Sequence, residues 1–395
     1  MGKDGQTDDT AVGKRNTITR MKIAIDARFY GGEKAKGLGR YTQKLIFHLQ
    51  EIDRENDYFI LLQHEDYEKI TFTNKKFQKV LADFHWYTLK EQIRMPRLLK
   101  KLQPDITHFP HYNVPFFFRK KFIVTIHDLI LHHFPTKRAT TLPAALYFFK
   151  QLGYKAVIRH AVQAAKKVIT VSQFSKKDIL ETFHIPAGKV AVTYEGVDRP
   201  PERRTDPAIL KKYHIQKPYI LYVGNAYPHK NLEILLDVVS EMKRTGEMDW
   251  SLVLVGKEEF FYKRLKEEAR SKNVLDKVLF TGFVPDEHLS TLYQHATAYI
   301  FPSLYEGFGL PPLESMAHGT PVLAANSSSL PEILQDKVLY FDPGDKNGII
   351  KVLKALLSSA ELRQKMSAEG KKYTKVFDWR KMAQETYKIY ENCGR

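Results

Sequence analysis

Residues 301–325, FPSLYEGFGLPPLESMAHGTPVLAA, run from a turn through a glycine loop into a helix start and out again into a strand. Pro302-Ser303 is the turn, and Glu306-Gly307-Phe308-Gly309 is the loop. Pro311 and Pro312 stand where a helix begins, since proline lacks an N–H that would go unpaired in a first helical turn anyway. Residues 313–317 read as helix, His318-Gly319 closes it, and 321–325 read as a buried strand. The loop brings the backbone N–H groups of Gly307, Phe308, Gly309 and Leu310 to a helix start, where the dipole favours negative charge. Glu306 and Glu314 frame that place, each able to accept hydrogen bonds from sugar hydroxyls. A carboxylate at a helix start can also serve the dipole alone, for about 0.3–1 kcal/mol. The open glycine loop argues against that, because a purely structural cap needs no such loop.

The chain has 395 residues, enough for two domains. Its 43% hydrophobic content is ordinary for a globular protein, and no run approaches the roughly 20 apolar residues that span a bilayer. Residues 1–20 have no apolar signal core and read as a disordered N-terminal extension or tag, with the folded body starting at Met21. The single cysteine, Cys393, excludes an intrachain disulfide framework and a cysteine-rich metal site, which fits the cytoplasm. The net charge of +17 points to an anionic partner or surface, or to solubility alone.

From the N-terminal side, 22–27 is a short apolar strand and 28–39 a glycine-rich connection holding Gly31 and Gly32. A helix follows with Tyr41, Leu45, Ile46, Leu49 and Ile52 on one face. Strand, glycine loop and helix make a Rossmann-like unit, but GxGxxG is absent, so no NAD site is read. Residues 106–109 and 122–126 are short buried strands, and His127 sits at the C-terminal end of the second, the edge where ligands bind in α/β sheets. Residues 110–113, Pro-His-Tyr-Asn, hold the corresponding edge, where they are placed to shape a second ligand's side of the site. His108, His111, His132 and His133 invite a metal reading that their spacing does not match. Residues 116–121, FFFRKK, and the aromatics near Lys150 and Lys155 mix rings with cations. They either dock on an anionic membrane or divide into core aromatics and a solvated basic face.

Ser172 caps a helix, and 196–207, GVDRPPERRTDP, reads as a linker. A second α/β series follows, with strands at 219–223, 251–255, 278–280 and 298–301 and with Asn231 as a helix cap. Gly224 permits a close ligand approach. Lys230, at the entrance to the next helix, can neutralise the charge of an anionic ligand.

Glu306 and Glu314, with GFGLPPLE between, resemble the Glu-x7-Glu motif of retaining GT-B glycosyltransferases, and the whole string resembles the glycosyl transferases group 1, of family 4 type. The resemblance runs from about residue 21 to the C-terminus. It implies an α/β fold of two Rossmann-like domains with a deep interdomain cleft, an acceptor domain at 21–200, a donor domain at 201–376, and a helix at 377–395 returning to the first domain. It implies His127, in its TIHD setting, beside the transferred sugar, and Gly31, Gly32 and Gly224 near the donor diphosphate. Phe283 then lies at the nucleotide base, Glu314 at the ribose, and Glu306 with the Gly307–Leu310 amides at the sugar. His127, Glu306 and Lys230 are the catalytic set, and no metal or other cofactor is required. Many relatives carry an arginine where this chain has Asn225, and His229 or Arg40 are the substitutes in view. Residues 37–41, GLGRY, with 222–231, YVGNAYPHKN, most resemble mannosyltransferases of bacterial surface polysaccharides. GDP-mannose is then the first donor, with a UDP-hexose or UDP-N-acetylhexosamine next, and the acceptor a glycan or lipid-linked hydroxyl. A nucleotide-sugar epimerase is the alternative enzyme. A nucleic-acid-binding protein finds no groove-reading motif in support.

Overall fold

The computed structural model describes residues 20–31, 37–135, 144–200 and 206–394. The first domain is built on seven parallel strands, β1 Lys22–Asp26, β2 Asp57–Leu62, β3 Phe77–Leu81, β4 Ile106–Phe109, β5 Phe122–Thr125, β6 Lys167–Thr170 and β7 Val190–Val192. Their order is β3-β2-β1-β4-β5-β6-β7. The second has six, β8 Tyr219–Val223, β9 Ser251–Val255, β10 Val278–Gly282, β11 Ala298–Phe301, β12 Val322–Ala325 and β13 Leu339–Phe341, in the order β10-β9-β8-β11-β12-β13. The central strands are short apolar runs buried on both faces, as helix-covered parallel sheets require.

Each sheet reverses its direction of growth once, between β1 and β4 in the first and between β8 and β11 in the second. At such a reversal the following connections leave on opposite faces and open a crevice at the carboxyl ends of the strands. The 302–309 loop after β11 therefore opens at such a crevice, while His127, after β5, stands one strand beyond the other.

One face of the first sheet is covered by the Gly37–Ile52 helix, through Tyr41, Leu45 and Leu49, together with the Trp379–Gly394 helix, through Trp379, Met382 and Tyr390. The other face carries Met95 and Leu99, Ile158 and Val162, and Ile179, from three helices. The chain crosses between domains twice, side by side. Val197 N–H donates to the Phe377 carbonyl at 3.3 Å, and a Cβ added to Gly196 would lie 2.3 Å from the Trp379 nitrogen. Among the described residues no helix is long and apolar enough to cross a membrane.

Two local readings are corrected. The helix at 313–317 begins earlier, spanning Leu310–Ala317, because Gly309 at φ 103 supplies the turn and both prolines fit its first turn. Asn231 is not a helix cap, since the helix it precedes is Glu233–Arg244. It takes a left-handed φ of 56, and its side-chain amide donates to the carbonyls of Pro302 (3.2 Å) and Pro343 (2.9 Å), tying three connections together.

Candidate active site

Four connections converge where the two crevices face each other. From the second domain come the Pro228–Lys230 turn after β8 and the 302–309 loop after β11. The first domain supplies the segments after β4 and β5.

Glu306 is buried, and its carboxylate accepts from Lys230 Nζ at 2.5 Å. Its loop is held from outside by serines. Ser328 Oγ accepts the Glu306 N–H at 2.8 Å, and the Ser329 hydroxyl lies 3.0 Å from the Glu306 carbonyl and 3.3 Å from that of Phe308. The N–H groups of Gly307, Phe308, Gly309 and Leu310 make no hydrogen bond among the described residues. An array of amides with no protein partner, at a helix start and beside a lysine, is suited to an anion.

The other glycines differ. Gly31 donates its N–H to Asp66 Oδ2 at 3.0 Å, and Gly224 donates its own to the Val255 carbonyl at 2.9 Å. Neither amide is directed at a ligand. Gly224 is required because its φ of 154 and the Tyr222 hydroxyl, 2.8 Å from any Cβ, exclude a side chain. Gly32 lies outside the described residues. Asn225 is exposed and accepts the Tyr227 N–H at 3.2 Å, while Phe283 stands exposed at the end of the edge strand β10.

Gly307 is where the domains meet. A Cβ there would stand 2.4 Å from the His127 carbonyl oxygen and 2.9 Å from Asp128 Cβ. The Gly307 carbonyl accepts from Ser172 Oγ at 2.7 Å. Glu332 of the second domain accepts the N–H groups of Gln173 (2.7 Å) and Phe174 (2.8 Å), at the start of a first-domain helix.

His127 is fixed on three sides. Its Nδ1 lies 3.2 Å from Glu195 Oε1 and its Nε2 lies 3.1 Å from the Pro110 carbonyl oxygen. Tyr41 meets its ring edge-on at 4.7 Å. The two contacts, one at each ring nitrogen, fix the plane and the facing of the imidazole. Asp128 stands within electrostatic reach of His127, Glu306 and Lys230, and burial is the main cause of its carboxyl being pushed above the usual range.

Glu314 is held by Arg40 of the first domain and accepts from the Tyr293 hydroxyl at 3.2 Å. Burial raises the Glu314 pKa, with Arg40 opposing it. Arg40 also reaches Asp286 at 3.2 Å. Of the two substitutes for an arginine near Asn225, His229 supplies no cation at neutral pH, because burial and then Lys230 bring its pKa down to about 3. Glu195 and Asp128, and the pairing of Arg40 with Glu314, are the parts that sequence reading did not reach. Only Asp128 had a local signal, its place beside His127 at a strand end.

The profile described as Glycosyltransferase Family 4 matches residues 35–199, and that described as Glycosyl transferases group 1 matches residues 205–373. The O-antigen chain mannosyltransferase B of Escherichia coli is 28% identical over 319 residues, covering 77% of this chain and 79% of that protein. The O-antigen chain mannosyltransferase RfbU of Salmonella typhimurium is 26% identical over 325 residues, covering 80% and 85%. Among solved structures, the sucrose-phosphate synthase of Thermosynechococcus elongatus superposes with a TM-score of 0.74 at 19% identity, over 94% of this chain and 99% of that one. Anabaena HepE, in complex with UDP-glucose, gives 0.71 at 15% identity, over 94% and 100%. The two structural likenesses establish the two-domain GT-B fold.

Proposed function

The chain belongs to the glycosyltransferases of the group 1 and family 4 type, and on that premise we propose that it moves mannose from GDP-mannose to a hydroxyl of a glycan or lipid-linked acceptor in surface polysaccharide synthesis. The single observation that carries the site assignment is the set of unpartnered amides at Gly307, Phe308, Gly309 and Leu310 beside Lys230. The donor diphosphate lies there, where amide dipoles and the ammonium oppose the charge that develops as the bond from the sugar anomeric carbon to the phosphate oxygen breaks. Glu306 accepts from the sugar hydroxyls and Glu314 from the ribose, whose arrival loosens the Arg40 contact. Phe283 lies by the base. His127, held by Glu195, positions the sugar from the first domain. The acceptor oxygen attacks on the face the diphosphate leaves, its proton passes to the departing phosphate oxygen, and configuration is retained. The chemistry needs no metal, so turnover is expected to persist in a chelator.

Supporting a mannosyl donor are the names of the two O-antigen relatives, while the UDP-glucose bound to Anabaena HepE keeps a UDP-hexose or UDP-N-acetylhexosamine as the alternative donor. Thermal unfolding with a panel of nucleotide sugars tests this, since a ligand of the folded state raises the melting temperature. GDP-mannose is expected to give the largest shift. A shift with UDP-sugars alone would overturn the donor assignment, and conversion of the donor with no acceptor present would favour an epimerase.

The acceptor side also supports contact with an anionic membrane. Phe117 is 73% exposed and Phe149 67% exposed, next to Arg119, Lys120 and Lys150, while Phe118 turns into the core. The Ala144–Ala164 helix contains no acidic residue. Exposed rings among cations suit an anionic headgroup layer. Co-sedimentation with phosphatidylglycerol vesicles, and its absence with phosphatidylcholine alone, is the expected result. Loss of that preference would remove the membrane from the account.

A further inference from the structure

The crevice between β1 and β4 holds an aromatic cluster that the transfer chemistry leaves unused. Phe29 follows β1, His111 and Tyr112 follow β4, and Trp86 and Tyr87 come from the connection after β3. Phe29 meets Trp86 at 4.3 Å and His111 at 5.1 Å between ring centroids. His111 meets Tyr112 at 3.9 Å. The Tyr87 hydroxyl reaches the Tyr112 hydroxyl at 3.1 Å and His111 Nδ1 at 3.3 Å.

The cluster is held rigid from below. Tyr87 is 55% exposed yet takes φ 61, a left-handed conformation unusual for a bulky residue, and its N–H donates to Glu91 Oε2 at 2.8 Å. Glu91 is buried and bound by Arg28 and Asn113, both at 2.5 Å. Arg28, also buried, is gripped by Asp26 through two contacts, at 2.8 and 2.7 Å. A buried ion network that touches no part of the transfer site thus fixes a strained, exposed tyrosine.

Position and chemistry name the ligand. Pro110, whose carbonyl faces His127, is the neighbour of His111, so the cluster adjoins the transfer centre from the first domain. The connection after β3, which carries Trp86 and Tyr87, also walls a cavity of about 870 Å3, lined by Gln63, His64, Phe84, His85, Leu89 and Arg94. A pyranose offers an apolar C–H face to an aromatic ring and hydroxyls at its edge to phenol and imidazole groups. No lysine, arginine or acid belongs to the ring cluster itself, which favours a neutral sugar over a phosphate.

We infer that Phe29, Trp86, Tyr87, His111 and Tyr112 form a stacking shelf for the sugar that ends the acceptor chain, with the preceding residues running toward the 870 Å3 cavity. This rests on the reading of the protein as a glycosyl transferase and supplies its acceptor subsite. Of the three tryptophans, Trp250 and Trp379 are buried at 3% and 5% exposure, while Trp86 is half-exposed, so added sugar is expected to act on Trp86 emission alone. The experiment titrates the whole chain, without donor, with manno-, gluco- and galacto-oligosaccharides while following tryptophan fluorescence. One series is expected to give a saturable change that Trp86→Phe abolishes. In turnover, Trp86→Ala is expected to raise the acceptor KM at least tenfold while donor KM and the nucleotide-sugar melting shift stay unchanged, and Trp86→Phe restores most of the acceptor KM. Unchanged emission with every series, an acceptor KM within twofold in Trp86→Ala, or quenching by the free nucleotide would each overturn the shelf. A wild type that no nucleotide sugar stabilises would instead overturn the donor reading, and the emission titration would still decide the shelf.

Discussion

The two sheet reversals are furnished with opposite chemistries. At β8/β11 the chain places a lysine–glutamate pair, amides with no partner among the described residues and a second carboxylate within one turn, one loop and the helix that follows it. At β1/β4 it places rings over a buried ion network, and the charged groups there are consumed by one another. The first arrangement keeps polar capacity open for a charged ligand, and the second spends it on rigidity. The lesson is that the same strand-order reversal makes a crevice in both halves, while what the crevice takes is decided by whether its polar groups are already satisfied.

The sharpest way to break this contrast is at Lys230. Lys230→Ala should lower turnover about 10²–10³-fold, equivalent to about 2.7–4 kcal/mol of transition-state stabilisation, with Glu306→Gln similarly impaired in steady-state kinetics. Near-normal turnover in both would mean the open polar capacity at β8/β11 is not where the charge develops. Acid tests whether the two halves differ in stability as well. His108 and His229 are buried, and burial holds each near a pKa of about 3. Both values lie below the ordinary one near 6.5, so the stability they hold is full above that pH and is lost as pH falls toward 3. At pH 5 each costs about 2 kcal/mol, one in each domain. Urea unfolding at pH 7 and pH 5 should show the loss, and His108→Gln and His229→Gln should each flatten it. A Glu195→Ala exchange removes one of the two partners that orient His127, and about a tenfold fall in turnover is expected, near 1.4 kcal/mol. The smallest effect belongs to Arg40→Ala. Its ion pair with Glu314 is partly solvated, so unfolding free energy should change by less than about 1 kcal/mol.

What was legible in the sequence followed from locality. Strands such as 251–255 and 322–325 announce themselves as apolar runs because both faces are buried. By contrast β3, FQKVL, is an edge strand with mixed burial and offers no such run. Glu306 and its glycines could be read because loop, helix start and carboxylate are contiguous. Glu195 with His127, and Arg40 with Glu314, could not, since their partners are joined only by folding. The glycines show the same limit from the other side. Gly31, Gly224 and Gly307 look alike in sequence, and only the structure tells an amide already bonded from one that is not.

The Trp379–Gly394 helix has a consequence for how the protein is made. Its Trp379, Met382 and Tyr390 complete a core face whose other members, Ile23, Tyr41 and Tyr58, emerge from the ribosome first. At about 10 residues per second, that face waits on the order of 20 s after β7 is synthesised before its cover arrives. The second domain draws the last member of its core, Phe377, from just before that helix, so the first domain exposes an apolar face through nearly the whole synthesis of the second. Translation order makes the first domain the last to be finished, and the interval before it is covered is when a nascent chain of this protein is most exposed to aggregation.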